Sequence, residues 1–188
     1  MRKLKLQVQM TIDGFISSTN GEMEWMKFPW TEDIINYVRE ITATVDTILL
    51  GRKLAEGFIP HWTNVAKNPE DPEYEGGVKY TTTHKIVFSK TLDKSIWENT
   101  KIANGELVEE VTKLKNQAGN DIIAYGGGTF VSSLIKNKLI DELHLFINPT
   151  AIGNGMPIFK ELNKNQSFSV KEVKHFECGI IVLVYKPI

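Results

Sequence analysis

Asp121-Ile122-Ile123-Ala124-Tyr125-Gly126-Gly127-Gly128-Thr129 is a short apolar run, too brief for a helix, that ends on three consecutive glycines. Such a run reads as a buried strand. Thr129 to Asn137 then has the composition of a helix, so the glycines fill a strand-to-helix junction. Glycine permits backbone angles and close approaches that a side chain forbids, and a helix start offers free amides and partial positive charge to a pyrophosphate. The alternative is a plain tight turn, for which one or two glycines suffice. The pattern is neither G-x-G-x-x-G, since Val131 stands at its last position, nor a P-loop, since no Lys-Ser or Lys-Thr follows.

Working outward, strands and helices keep alternating. Leu4, Leu6, Val8, Met10 and Ile12 alternate with Lys3, Lys5, Gln7, Gln9 and Thr11, the period of a half-buried strand rather than of a signal sequence. A helix is expected over about 32 to 43, capped by Thr31, then a strand at Val45 to Leu50 and a short helix from Arg52 to Phe58. Residues 59 to 83, with Pro60, Pro69, Pro72, Gly76 and Gly77, show no period and read as the longest loop. Lys85 to Phe88, Glu106 to Gln117 and Glu142 to Asn148 read as strand, helix and strand. Ser167 to Glu177 and Ile180 to Lys186 read as a closing hairpin. The order implies an α/β domain over residues 1–188, with a mostly parallel sheet and an antiparallel edge.

Composition narrows the function. Twenty-two Lys+Arg against 23 Asp+Glu leave a net charge of -1, so no global field draws the chain to nucleic acid or an anionic membrane. No stretch reaches the roughly 18 apolar residues of a membrane span. The single Cys178 and four scattered histidines supply neither disulfide nor metal spacing, and a reducing cytoplasm is the expected compartment. No G-x-S-x-G elbow accompanies Ser132 or Ser133.

Ligands of open α/β sheets bind beyond the carboxyl ends of the strands. Besides the glycine junction, two such positions carry suitable groups. Gly51-Arg52-Lys53 follows one strand, and Ser89-Lys90-Thr91 follows another; each is either a phosphate contact or a polar turn. Trp25, Trp30 and Trp62 are candidates to stack on a flat substrate, or else close the core. Glu32 and Asp33 are candidate acids, or else caps of their helix.

In order, Thr11-Ile12-Asp13-Gly14-Phe15-Ile16, Ile48-Leu49-Leu50-Gly51-Arg52, Val87-Phe88-Ser89-Lys90-Thr91-Leu92, Gly126-Gly127-Gly128, Leu139-Ile140-Asp141-Glu142-Leu143 and Pro149 through Phe159 resemble the dihydrofolate reductase-like superfamily. More narrowly, they resemble the bacterial branch related to the reductase half of the riboflavin-biosynthesis deaminase-reductase. The resemblance implies a three-layer fold, NADPH across the strand ends and a homodimer. It implies cofactor contacts from Ile16, Gly51, Arg52, Lys53, Ser89, Lys90, Tyr125, Gly126, Gly127, Gly128 and Thr129. The interval in Pro29-Trp30-Thr31-Glu32-Asp33 is shorter than in true dihydrofolate reductases, so Glu32 and Asp33 both stand as the substrate acid, with water as the other proton source. The implied activity is hydride transfer to a C=N or C=O of a pterin- or pyrimidine-type substrate. The alternative is a non-catalytic dinucleotide-binding module acting as sensor or scaffold. The apolar run Ile180 to Val184 independently suggests burial of both strand faces, helped by a second subunit.

Overall fold

The structure, a computed structural model, describes residues 1–26 and 30–188. Its element order is β1 (Leu4–Thr11), α1 (Glu32–Thr42), β2 (Val45–Gly51), α2 (Arg52–Val65), α3 (Tyr74–Thr82), β3 (His84–Phe88), β4 (Thr100–Ala103), α4 (Leu107–Asn116), β5 (Asp121–Tyr125), α5 (Gly128–Lys136), β6 (Glu142–Asn148), β7 (Phe168–His175) and β8 (Ile181–Pro187). One eight-stranded sheet runs β4-β3-β2-β5-β1-β6-β8-β7. The first six positions are parallel, and β8 and β7 add the expected antiparallel edge.

Alternation along each strand sends side chains to two differently filled faces. On one face Leu4, Leu6, Val8 and Met10 of β1 pack with Leu49, Ile122 and Ala124 beneath Val111 of α4 and Val131, Leu134 and Ile135 of α5. On the other, α2 covers Ile48, Leu50, Ile123 and Tyr125 with Ala55 and Ile59. There α1 covers Phe146, Val182 and Val184 with Ile34, Tyr37, Val38 and Ile41. Between these two helix-covered patches runs the second face of β1, carrying Lys5, Gln7, Gln9 and Thr11.

That face corrects the expectation of a half-buried first strand. Lys5, Gln7 and Thr11 are buried, because β1 is flanked by β5 and β6 and lies in the trough between α1 and α2. The alternation is therefore apolar against buried polar. Lys5 is satisfied by the Ile41 carbonyl at 2.9 Å and by Asp121 at 2.9 Å, which ties the end of α1 to β5.

The long loop expected over 59 to 83 is a second correction. There α2 continues through Pro60 to Val65, and α3 occupies residues 74–82. Pro60 is exposed and forfeits one backbone hydrogen bond, while Ile59 and Val65 on the same helix are buried. Gly77 is a contact glycine: a Cβ there would lie 2.8 Å from the Ala66 nitrogen and 2.8 Å from Val65 Cγ1. The helix pair needs the glycine that local propensity reads as a breaker. The four-residue edge strand β4 was not expected from the sequence, lying in a stretch with no clear alternation.

Gly57 and Gly77 should respond oppositely to the same substitution. Gly57 sits in α2 with open space around its Cβ position, so Gly57→Ala should stabilise by about 0.5–1 kcal/mol. Gly77→Ala should destabilise by about 1–3 kcal/mol through overpacking. Urea unfolding of both variants checks this; equal responses would remove the tight α2–α3 contact.

Candidate active site

Neighbouring strands β2 and β5 send their following helices to opposite faces, so a crevice opens at their carboxyl ends. The two helix starts meet there. A Cβ on Gly51 would lie 2.9 Å from Phe130 Cβ in the first turn of α5, and one on Gly127 would lie 3.7 Å from Leu54 Cβ in the first turn of α2. Gly127 precedes α5 with φ 131, a conformation that favours glycine, and no side chain caps the helix. The backbone donors at the start of α5 thus lack a capping side-chain oxygen.

The next strand end, β3, is tied to the same place by Phe88, whose ring lies 5.1 Å from that of Phe130. The sequence candidates after β2, β3 and β5 therefore fall on three adjacent strand ends. On the β1 side, Ile16 and Met156 close over Gly128, with Met156 seated where a Cβ would clash. Backbone bonds from Ile16 N to the Met156 carbonyl at 3.0 Å and from Met156 N to the Ser17 carbonyl at 2.9 Å clasp the loops after β1 and β6. Asp13 holds the same loops by accepting from Ile152 N at 3.0 Å and Gly153 N at 2.7 Å.

Individual candidates differ in how free they are. Arg52 is half exposed and pairs with Glu56 one turn on; Lys53 is exposed. Thr129 is exposed and lies 3.5 Å from Lys160 Nζ. The Ser89 hydroxyl accepts from Thr91 N at 3.1 Å and Leu92 N at 3.0 Å, which shapes its own turn. Lys90 points to the Asn104 and Gly105 carbonyls and Glu106. Tyr125 lies under α2, 5.2 Å from Phe58 and 5.6 Å from Tyr80 between ring centroids; burial and then the Tyr80 hydroxyl push its phenol well above the usual range. Trp62 joins the same aromatic cluster, 4.6 Å from Tyr80.

On the α1 side, Trp30 stacks nearly parallel on Phe146, centroids 6.3 Å apart. Trp25 is half-buried, and its indole N–H has no hydrogen-bond partner among the described residues. Pro29 lies outside the described residues. Asp33 accepts from the Thr31 hydroxyl, from Ile34 N at 2.8 Å and from Glu177 N at 2.9 Å, so it pins the β7–β8 turn to α1. The Thr31 hydroxyl first, then the Glu177 amide, hold its carboxyl below the usual range. Glu32 is exposed. Among the described residues no cluster of acids, histidines and cysteine could hold a metal ion, and no helix is long and apolar enough to cross a membrane.

The trough floor was missed by the sequence reading. Gln7 and His144 are register partners on β1 and β6, and both are buried. Tyr37 Oη lies 2.8 Å from His144 Nδ1. Gln7 Oε1 and His144 Nε2 are buried without hydrogen-bond partners. Near the strand ends, Gln9 and Asn148 join through their carboxamides at 2.9 Å. Burial lowers the His144 pKa to about 4 and raises that of Tyr37, so the imidazole is neutral at pH 7. The sequence shows only the regular spacing of polar residues on β1; the central position that buries them comes from the sheet order.

A model of the RibD C-terminal domain matches residues 2–182. The chain belongs to the RibD C-terminal domain family. Bacillus subtilis YyaP, an uncharacterized protein, is 32% identical over 98% of this chain and 94% of its own. Among solved structures, this RibD C-terminal domain resembles a Thermotoga maritima diaminohydroxyphosphoribosylaminopyrimidine deaminase/5-amino-6-(5-phosphoribosylamino)uracil reductase, with TM-score 0.70 and 18% identity. That likeness covers 100% of this chain and 57% of the Thermotoga chain. A pyrimidine reductase-like protein from Corynebacterium diphtheriae matches with TM-score 0.63 and 12% identity, over 100% of this chain and 92% of the other. The fold expectation is thereby met.

His144 makes a pH dependence specific to the trough. An unfolded chain protonates its histidine near pH 6.5, whereas the folded group waits until about 4. Stability is therefore full above about pH 6.5 and falls as the pH drops toward 4, by on the order of 3 kcal/mol. Urea unfolding at about pH 7 and pH 5 should show a loss in wild type that is much smaller in His144→Gln. The same loss in both proteins would assign it to other groups.

Proposed function

We propose that the chain is an NADPH-dependent reductase acting on a C=N or C=O of a small flat heterocycle of the pyrimidine or pterin type. The observation that carries this reading is the meeting of the α2 and α5 starts at Gly51, Gly127 and Gly128. A pyrophosphate suits these helix starts, because no side chain caps either of them and both favour negative charge. Membership of the RibD C-terminal domain family, and the reductase activity named for the Thermotoga protein, support the same direction.

On this reading Gly126, Gly127, Gly128 and Thr129 hold the pyrophosphate, and Arg52 faces the adenosine phosphate. Lys90 and Ser89 act through the neighbouring turn, since their polar atoms already serve Asn104, Gly105 and Leu92. Ile16 and Met156 pack over Gly128 and cover the β1 side of the α5 start. The bound cofactor supplies the hydride; the protein's part is orientation. Asp33, with its carboxyl held ionised by three donors, has no proton to give near pH 7, and Glu32 is exposed to solvent at the start of α1, so water supplies the proton.

The homodimer fits an uncovered apolar patch on the hairpin. Val170 and Val173 of β7 and Ile181 of β8 are 60%, 60% and 40% exposed on the sheet face opposite α1. A register shift between Val170 and Glu172 keeps both valines there, while Lys171 pairs with Glu142 and Lys174 lies over the Tyr37 ring. A second copy placing the same patch against this one would bury it symmetrically. Val173→Glu should then convert a dimer into a folded monomer in sedimentation, and a wild-type monomer at micromolar concentration would overturn the reading.

Cofactor titration tests the activity. Wild type should bind NADPH more tightly than NADH, and Arg52→Ala should weaken NADPH by about ten- to a hundredfold, the worth of one charge-assisted phosphate contact. NADH should barely respond. No binding of either nucleotide would overturn the proposal, and parallel losses would move Arg52 from the adenosine phosphate to the pyrophosphate or the fold.

A further inference from the structure

The Gln9–Asn148 carboxamide pair has its orientation dictated by the backbone around it. Asn148 Nδ2 lies 3.1 Å from the Phe146 carbonyl and 3.4 Å from the Met10 carbonyl, both acceptors only, so the nitrogen must face them. The same nitrogen donates to Gln9 Oε1 at 2.9 Å, which fixes Gln9 with its oxygen inward. Asn148 Oδ1 and Gln9 Nε2 are left with no hydrogen bond among the described residues. Asn148 is 2% exposed and Gln9 is half-buried, so neither amide is an idle surface group.

The surroundings favour a flat, polar-edged guest. Gln9 is the register partner of Phe146, on which Trp30 stacks, so an aromatic wall stands beside the amide pair. Deeper on the same face of β1, Gln7 Oε1 is buried without a partner. A row of carboxamides with one free donor, one free acceptor and one unpaired buried oxygen has a polar capacity that the fold itself does not use.

We propose that Gln9 and Asn148 are the specificity-determining residues of this site, reading the lactam edge of the substrate ring. The Gln9 amide N–H donates to the ring carbonyl, the Asn148 carbonyl accepts from the adjacent ring N–H, and Trp30 packs against the ring. This rests on the reductase reading above, and assigns residues to the half of the site that the cofactor leaves open. Pyrimidines and pterins share the lactam edge, and the probes below separate them.

The test is binding to the NADP+-loaded protein of 5,6-diaminouracil, of pterin, and of 2,4-dimethoxypyrimidine, which has no lactam N–H. Wild type should bind one of the two lactam probes at least roughly tenfold more tightly than the dimethoxy compound, since a site built to hydrogen-bond rejects an analogue that cannot. Whichever lactam binds identifies the ring class. Gln9→Met, similar in shape, should abolish that preference while the protein stays folded and NADP+ affinity stays unchanged. Wild type binding no lactam probe, or Gln9→Met keeping the full preference, would overturn the assignment. Failure of NADP+ itself to bind would instead strike the reductase reading.

Discussion

Placing β1 at the centre of the sheet buries both of its faces, and only one of them is apolar. Every other layer answers to that constraint. The apolar face, Leu4 to Met10, accepts α4 and α5 as a continuous cover. The polar face already buries Gln7 Oε1 and His144 Nε2 without partners, and a helix laid along it would strand more polar groups at about 1–3 kcal/mol each. The helices on that side therefore part, α1 over β6 and β8, α2 over β2, β3 and β5. The trough between them is the consequence of four side chains on one strand.

At the carboxyl end the trough joins the crevice between β2 and β5. There the requirement is reversed: side chains must be absent. Gly51 and Gly128 sit where a Cβ would meet Phe130 and Met156, and Gly127 takes a left-handed φ. One region thus presents two helix starts without capping side chains, and the adjoining one presents carboxamides and stacked rings. That division matches a two-part ligand requirement, phosphate at one end and a flat polar ring at the other.

Where a signal was local, the sequence carried it faithfully. Asp121 to Tyr125 and Glu142 to Asn148 have the boundaries their apolar runs predict, and the glycine junction lies where three successive glycines require it. The signals that misled were resolved by tertiary contact. Gly77 looks like a breaker but is a helix-packing contact; Pro60 looks like a terminator but stands on the exposed side of α2. Trp62 reads either as a substrate stacker or as a core-closing ring, and α3 brings Tyr80 against it. Gln7, Gln9 and His144 could not be recognised as a site because alternation alone does not say whether a polar face meets water or the interior. Asp33 showed both a capping and an acidic role in the sequence, and the Glu177 amide on a distant turn engages its second oxygen.

The central claim is that the start of α5 and the start of α2 form one phosphate-binding bed on a polar-floored trough. Amide resonances of a nitrogen-15-labelled protein during NADPH titration address it most directly. The account predicts large, saturable shifts confined first to Gly51 through Lys53 and Gly126 through Phe130, with smaller ones at Ile16 and Met156. Saturable shifts centred elsewhere, with those glycine amides unmoved, would contradict it.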